Sequence, residues 1–168
     1  MKKALLNKFL LLLFLGVDAL TKVLALRGIP LLHGVSYPFG GIGIFDFCGI
    51  SFSLNTVFNT GAAWGVFPNH FWILLGLRLC VVISLVVYLF FRPSNRPHWP
   101  LSLIATGAFG NIIDMFIYGR VIDFFHMRFF GWSFPIFNIA DSCITVGVAL
   151  LLLWPNRWRI LKEAHNAD

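Results

Sequence analysis

Charge is the scarcest property of this sequence. Only 12% of the 168 residues are charged and 58% are hydrophobic, against ~25% charged and ~45–50% apolar in an average globular domain. A soluble protein of this length needs roughly twice as many charges on its surface, so the excess apolar residues must face another solvent. The composition excludes a soluble globule, a disordered chain and a coiled coil, and it indicates the lipid bilayer.

Residues that form disulfides or bind metals are also few. The three cysteines, Cys48, Cys80 and Cys143, are widely spaced and odd in number, and no two histidines are spaced to share a helix face. This pattern excludes a disulfide-knotted secreted domain and provides no ligand set for a metal. We therefore expect no cofactor, no metal and no disulfide.

Long apolar runs take the place of the missing charge. A spanning helix needs ~20 mostly apolar residues to cross a ~30 Å hydrocarbon core. We predict an all-α integral membrane fold, a single domain over residues 1–168, with transmembrane helices at about 9–26, 67–91, 99–118 and 137–154. A cleavable signal peptide is the alternative for the first run, but its length and the charges of Asp18 and Lys22 favour a retained helix.

Basic residues predict the orientation of these helices. Eight Lys and Arg residues lie before the first span, between the second and third spans, or after the fourth span. Three others lie in the other two loops. Because cytoplasmic loops are enriched in Lys and Arg, we expect both termini inside and the other two loops outside. The net charge of +6 then reflects topology and attraction to anionic lipid, with no reason to expect a nucleic-acid partner.

The two outward loops have distinct patterns. Residues 42–47 and 50–55 alternate with period two around Cys48 and Gly49, which predicts a small outward-facing β-hairpin. Residues 119–135 are crowded with aromatic side chains, and we interpret them as a loop in the headgroup zone. Its one histidine, His126, is interpreted as a surface or headgroup contact in preference to a catalytic group.

Two aspartates are the first candidates for chemistry. Asp123 follows the third span and Asp141 lies in the first turns of the fourth, so the predicted topology brings both to the outer face. Two neighbouring carboxylates cannot both ionise, so one can act as an acid while the other activates water. The alternatives are that Asp141 caps a helix and that Asp123 faces water.

Polar residues within the spans support a lined site. Asn111 precedes Asp114 by three residues and Asn138 precedes Asp141 by three, so each amide shares a helix face with a carboxylate. Interhelical hydrogen bonding, worth ~0.6–2 kcal/mol, is the alternative role for these asparagines.

Charged residues within the spans need partners. Asp18 and Lys22 are four residues apart, which suits an ion pair that neutralises both groups or that places Lys22 near a substrate. Arg78, near the middle of the second span, needs a carboxylate such as Asp18 or Asp114.

Three classes of membrane protein use such residues. A transporter or channel would distribute them along the depth of the membrane, and a noncatalytic scaffold would use them to join helices. Because Asp123 and Asp141 gather on one side, the distribution favours chemistry at the interface.

Four ordered motifs give the sequence a family resemblance. DALTK at 18–22, NTGAAWG at 59–65, GNIIDMFIYGRVIDF at 110–124 and FNIADSCITVG at 137–147 together resemble the lipoprotein signal peptidases, the type II prolipoprotein signal peptidases of bacteria. The resemblance covers essentially the whole chain.

The resemblance implies an intramembrane aspartyl endopeptidase of the bacterial cytoplasmic (inner) membrane. It would remove signal peptides from prolipoproteins by cutting just before a cysteine that carries diacylglycerol. By resemblance the catalytic pair is Asp123 and Asp141. The residues that would line or support the pocket are Asp18, Lys22, Asn59, Gly61, Asn111, Asp114, Asn138 and Ala140. Its partners would be lipidated prolipoproteins and membrane lipid, and we expect a monomer.

One departure from the family pattern concerns a cation. The family usually has an Asp-Arg pair in the third span, whereas here Asp114 is followed by Met115. The contact that this Arg normally offers to the substrate backbone or to the Asp is then lost, unless Arg78 or Arg120 replaces it. Trp64, where Phe is common, is a milder change.

Overall fold

The computed structural model describes residues 2–29, 41–60, 71–91 and 99–153. Within these ranges the chain forms four helices and a four-stranded antiparallel sheet with the strand order β1-β2-β3-β4. In chain order the elements are α1 (Lys2–Gly28), β1 (Ile42–Phe47), β2 (Ile50–Asn59), α2 (Phe71–Phe91), α3 (Trp99–Tyr118), β3 (Val121–Phe129), β4 (Trp132–Ser133) and α4 (Ile139–Leu153).

Among the described residues, three helices are long and apolar enough to cross a membrane. They are Phe9–Gly28, Trp72–Phe91 and Trp99–Tyr118, which match the first three predicted spans. Residues 67–70 of the second prediction and residue 154 of the fourth lie outside the described ranges. The described part of α4 has 15 residues, and at ~1.5 Å per residue it is shorter than a ~30 Å hydrocarbon core. The chain is therefore a multi-pass membrane protein, and the fourth span stays a prediction.

The helices bury their polar side chains and expose their apolar ones. Lys22 is 1% exposed and Asp18 3%, whereas Phe90 is 81% and Leu153 83% exposed. This distribution is the reverse of that in a soluble protein, and it fits an outer surface covered by lipid with charged groups facing the bundle interior.

Glycines allow α3 and α4 to pack closely. A Cβ atom added at Gly107 would collide with the carbonyl oxygen of Ala140, and one at Gly147 would lie 2.7 Å from the carbonyl oxygen of Pro100. Small residues at helix contacts are the usual means by which membrane helices approach each other. The close contact fixes the start of α4 against the middle of α3.

The first hairpin lies where the alternating pattern predicts strands. β1 and β2 pair antiparallel, with Phe47 opposite Ile50, and the two turn residues Cys48 and Gly49 have φ values of 50° and 78°. Positive φ at both positions is typical of the type I′ turn that matches the twist of paired strands.

The connection between α3 and α4 forms strands, so the expectation of a loop there was wrong, and its place in the headgroup zone stays a prediction. β3 pairs with β2 along most of its length, and β4 pairs with its end. The first four residues of β3 are buried on both faces of the sheet. A strand covered on both faces has no polar side to alternate with its apolar side, so its sequence resembles an aromatic loop. The fold is consequently mixed helix and sheet and not all-α with one hairpin.

The sheet is fastened to one end of the helix bundle. Thr56 of β2 donates a hydrogen bond to the carbonyl oxygen of Ala25 near the end of α1. Phe125 of β3 and Phe137, two residues before α4, exchange both backbone N–H···O bonds. These contacts bring β3 and the first turn of α4 together, and the polar residues of both meet there.

Replacing Gly107 by Ala tests the close packing of α3 and α4. Because the added methyl group meets backbone, we expect destabilisation of about 1–3 kcal/mol. The matched control is Gly76→Ala in α2, where an added Cβ has no atom within 4 Å. The measurement is thermal unfolding in detergent, and an equal melting temperature for the two variants would contradict the packing described here.

Candidate active site

The first turn of α4 is closed by a reciprocal pair of hydrogen bonds. The side-chain oxygen of Asn138 accepts from the backbone N–H of Asp141 at 2.9 Å, and the Asp141 carboxylate accepts from the backbone N–H of Asn138 at 3.2 Å. This is the geometry of a capping box, which satisfies N–H groups that have no partner within the helix. It fixes the position of the Asp141 side chain.

Asp18 of α1 supplies a further cap to the same turn. Its Oδ1 accepts from the backbone N–H of Ala140 at 2.8 Å. A carboxylate near a helix N-terminus also interacts favourably with the helix dipole. Gly110 makes room for this contact, since a Cβ there would lie 2.8 Å from the Asp18 carboxylate and 3.4 Å from the Ala140 side chain.

Lys22 joins two carboxylates within the bundle. Its Nζ lies 2.7 Å from the carboxylate of Asp18 and 2.7 Å from that of Asp114, and it donates to Asn111 Oδ1 at 3.2 Å. The ion pair expected from the Asp18 spacing is present, and a second carboxylate joins it from α3. Lys22 therefore both neutralises buried charge and contacts the amide that holds Asp141.

Asp114 links this cluster to the sheet. Its Oδ2, which bonds Lys22, also accepts from the backbone N–H of Ile122 at 3.3 Å. Ile122 is fully buried and precedes Asp123 in β3. The carboxylate therefore fixes the backbone from which Asp123 projects.

Three asparagines hold the two candidate catalytic carboxylates. Asn111 donates to Asp141 Oδ1 at 2.7 Å, Asn138 donates to Asp123 Oδ1 at 2.7 Å, and Asn59 donates to Asp123 Oδ2 at 2.9 Å. Asn138 also lies 3.1 Å from Asn111 Oδ1, so the amides form a bridge from one carboxylate to the other. The asparagines therefore orient the carboxylates as well as joining helices.

The surroundings of Asp123 favour its protonated form. Asp123 is only 2% exposed. Burial, followed by the neighbouring charge of Asp141, raises the pKa of Asp123 from 3.8 to about 7, against the opposing effect of its hydrogen bond from Asn59. The two carboxylates thus favour one shared proton near neutral pH.

Both carboxylates open into a cavity of about 840 Å³. Asn59, Asn111 and Arg78 share its polar end with Asp123 and Asp141. The rest of the wall is mainly apolar and aromatic, formed by residues such as Met127, Phe129, Phe134, Ile136, Phe137 and Ile144. A largely apolar cavity with a few convergent polar groups is the usual form of a ligand site.

His126 lies on the other face of β3 and does not line this cavity. Successive side chains alternate along a strand, so positions 123 and 126 point to opposite faces. His126 is 1% exposed and lies 3.0 Å from Asn55 Nδ2 and 2.8 Å from Ser133 Oγ. The interpretation as a surface contact was wrong, because β2 and β4 cover this histidine. Burial lowers its pKa, so its neutral form is favoured.

Arg78 reaches the cavity from α2. The two carboxylates considered as its partners, Asp18 and Asp114, are held by Lys22. Arg78 Nη1 donates to the sulfur of Met115 at 2.8 Å, and the side chain forms part of the cavity wall. From the sequence, Arg78 was expected to need a carboxylate and was named as one replacement for the missing arginine, and a cation within an apolar span was the signal that pointed to a site.

One connected hydrogen-bond network contains nine of the ten site residues predicted from the sequence. The tenth, Gly61, lies outside the described residues, as does most of its motif. Ala140 joins the network through its backbone N–H and the others through side chains. Among the residues that the structure describes, no three His, Cys, Asp or Glu side chains form an arrangement suited to a metal ion.

Long apolar helices around a cavity with an acidic pair define a multi-pass membrane protein with a candidate active site, and comparison with known proteins gives its family. The model of the signal peptidase (SPase) II family matches residues 10–155. The chain therefore belongs to the signal peptidase II family, as its motifs indicated.

Individual relatives agree with this assignment. The chain is 36% identical over 143 residues to the lipoprotein signal peptidase of Chlamydia pneumoniae, which covers 83% of this chain and 84% of that protein. It is 33% identical over 156 residues to the lipoprotein signal peptidase of Chlamydia felis, with 88% and 91% covered. A solved bacterial membrane enzyme structure superposes with a TM-score of 0.71 at 27% identity, over 96% of this chain and 91% of that one.

Replacing Lys22 by Met tests the ion cluster. The variant leaves two carboxylates buried without their cation, and we expect a loss of about 3–5 kcal/mol in the free energy of unfolding. The matched control is Arg27→Met, which removes an exposed positive charge from the last turn of the same helix. Thermal unfolding of both variants is the measurement. A Lys22→Met variant as stable as the Arg27→Met variant would contradict the role given to Lys22.

Proposed function

We propose that this chain is an intramembrane aspartic endopeptidase that removes signal peptides from prolipoproteins, cutting just before the lipidated cysteine. Its membership in the signal peptidase II family supports the substrate class. The observation that carries the aspartic mechanism is the pair Asp123 and Asp141, joined by asparagine amides and open to one cavity.

Asp123 and Asp141 divide the acid and base roles. Asp123, whose pKa is raised to about 7, holds the shared proton. Asp141 is the ionised partner and removes a proton from a water molecule between the two carboxylates. That water attacks the scissile carbonyl, Asp123 donates its proton to the departing amine, and the peptide bond breaks without a covalent enzyme intermediate. The new carboxyl end belongs to the signal peptide, and the new amine belongs to the lipidated cysteine.

The asparagines keep the pair ready for this reaction. Asn59, Asn111 and Asn138 each donate to a carboxylate oxygen, so the two side chains need little rearrangement when substrate arrives. The Lys22 cluster and the capping box fix the backbones that carry them. These are the support roles proposed for the predicted pocket residues that the structure describes, and Gly61 keeps the pocket-lining role that the family resemblance implies.

Lipid contributes to substrate binding in this proposal. The acyl chains of the cysteine remain in the bilayer beside the exposed apolar helix faces, while the scissile peptide enters the cavity. Binding energy from these remote groups positions the reacting bond. We place the enzyme as a monomer in the bacterial cytoplasmic membrane, with four spans, both termini inside and the sheet as an outward cradle.

A transporter fits the positions of the charges less well. An ion path needs ionisable groups along the depth of the membrane. Among the described residues, the buried carboxylates and Lys22 instead form one cluster where α1, α3, α4 and β3 meet. A single acidic cluster favours a localised reaction.

Exchange of either catalytic aspartate for Asn tests the mechanism. We expect Asp123→Asn and Asp141→Asn each to lower the rate of cleavage of a diacylglyceryl-cysteine precursor peptide by at least about 100-fold, because proton transfer is lost. Asp46→Asn is the matched control, because Asp46 is an exposed residue of the same sheet. This variant should cleave the peptide at the wild-type rate. Normal cleavage by both site variants, with folding verified by thermal unfolding, would refute the aspartic mechanism.

The pH dependence gives an independent test. The raised pKa of Asp123 means that its proton is present below about pH 7 and is lost above it. We therefore expect kcat/KM, which reports the free enzyme, to fall about tenfold per pH unit on the alkaline side of pH 7. Cleavage is measured between about pH 5 and pH 9 while thermal unfolding verifies that the protein stays folded. A rate that stays constant up to pH 9 would contradict Asp123 as the acid.

A further inference from the structure

Arg78 lies on the inward face of α2. Leu75, three residues before it, and Val82, four residues after it, are both buried against the rest of the bundle. Residues spaced by three and four share one face of a helix, so Arg78 interrupts an apolar stripe. A cation in that position of a spanning helix is costly and usually serves a binding or catalytic site.

Met115 positions the guanidinium of Arg78. The methionine is 4% exposed and packs with Leu75 and Val121, and its sulfur accepts a hydrogen bond from Arg78 Nη1. The apolar stem of Arg78 can therefore lie along this cluster while its charged end forms part of the cavity wall. A guanidinium carries five N–H donors in a rigid fork, so it can hold Met115 and contact several acceptors at once.

A peptide in this cavity needs hydrogen-bond donors for its backbone carbonyl groups. The wall is mainly apolar, and an unpaired carbonyl there would lose the hydrogen bonds that it made with water. The amides of Asn59 and Asn111 already donate to the two aspartates. Arg78 is the cation among the described residues of the wall, and it interacts electrostatically with Asp141 and Asp123 in the same wall.

Arg120 is the other cation near this region, and its geometry is different. Its guanidinium lies 4.5 Å from the centre of the Phe58 ring, and its Nε donates to the carbonyl oxygen of Tyr118. Arg120 is exposed and does not appear among the described residues of the cavity wall. This difference makes Arg120 a matched control for Arg78.

Building on the proposed function, we infer that Arg78 binds a backbone carbonyl of the substrate peptide next to the scissile bond, with Met115 holding its guanidinium in place. Arg78 is then a substrate-binding residue delivered by α2, and the methionine at position 115 has a specific use. The contact between Arg78 and the carbonyl forms when the substrate binds, and it persists through the reaction. Its loss should therefore raise KM and leave kcat nearly unchanged.

The test is the cleavage of a synthetic diacylglyceryl-cysteine precursor peptide by purified full-length protein. We expect Arg78→Met to raise KM about 10- to 100-fold, the effect of losing one charge-assisted hydrogen bond, with kcat within about threefold of wild type. Arg120→Met should retain the wild-type KM. If Arg78→Met does not fold, Arg78→Gln takes its place with the same expected increase.

Relocation of the guanidinium provides a stricter test than removal. Met115 contacts Arg78, so an arginine at position 115 can reach the same part of the wall from α3. We expect the double variant Arg78→Met/Met115→Arg to have a KM about tenfold lower than that of Arg78→Met. A KM as high as that of Arg78→Met alone would overturn the inference.

The remaining outcomes separate this inference from the proposed function. A wild-type KM in the folded Arg78→Met variant would overturn the inference while leaving Asp123 and Asp141 as the catalytic pair. A fall in kcat with unchanged KM would also overturn it, because Arg78 would then act on the charges of the carboxylates. Absence of cleavage by the wild-type protein would overturn both proposals.

Discussion

The buried ammonium group of Lys22 is the interaction on which the rest of the site depends. It lies between the carboxylates of Asp18 and Asp114, and the whole lysine is 1% exposed. The same two carboxylates accept backbone N–H groups of Ala140 and Ile122, which lie at the starts of α4 and β3. One ion cluster therefore fixes the two backbone segments that carry the candidate catalytic carboxylates. In an apolar interior, such a cluster is costly to break and holds a single geometry.

The proposed catalytic pair, Asp123 and Asp141, makes no direct ion pair with Lys22. Lys22 pairs directly with Asp18 and Asp114, and its charge lowers the pKa of Asp123 by less than burial and the charge of Asp141 raise it. Burial and mutual repulsion then favour one proton between the pair, while asparagine amides supply hydrogen bonds without adding charge. An environment that is unfavourable for two charges is suitable for an acid and a base that act together.

Sequence patterns predicted the features that depend on local spacing. The apolar runs located the helices, the alternation around Cys48 and Gly49 located the first hairpin, and charges within the spans indicated the residues that form the network. The rest depends on long-range packing. β3 has no alternation because both of its faces are covered, which also hid the burial of His126. The place of Arg78 beside Met115 depends on how α2 is rotated against α3, which no spacing within either helix determines.

The most direct test of the account is the protonation state of Asp123. Infrared spectroscopy detects the C=O stretch of a protonated carboxyl group, and the wild-type spectrum is compared with that of Asp123→Asn across a pH titration. The account predicts a protonated-carboxyl band that disappears as the pH rises through about 7 and that is missing from the variant. An identical band in the variant would contradict the account. So would a wild-type spectrum without any such band at about pH 6, roughly one unit below the pKa of Asp123.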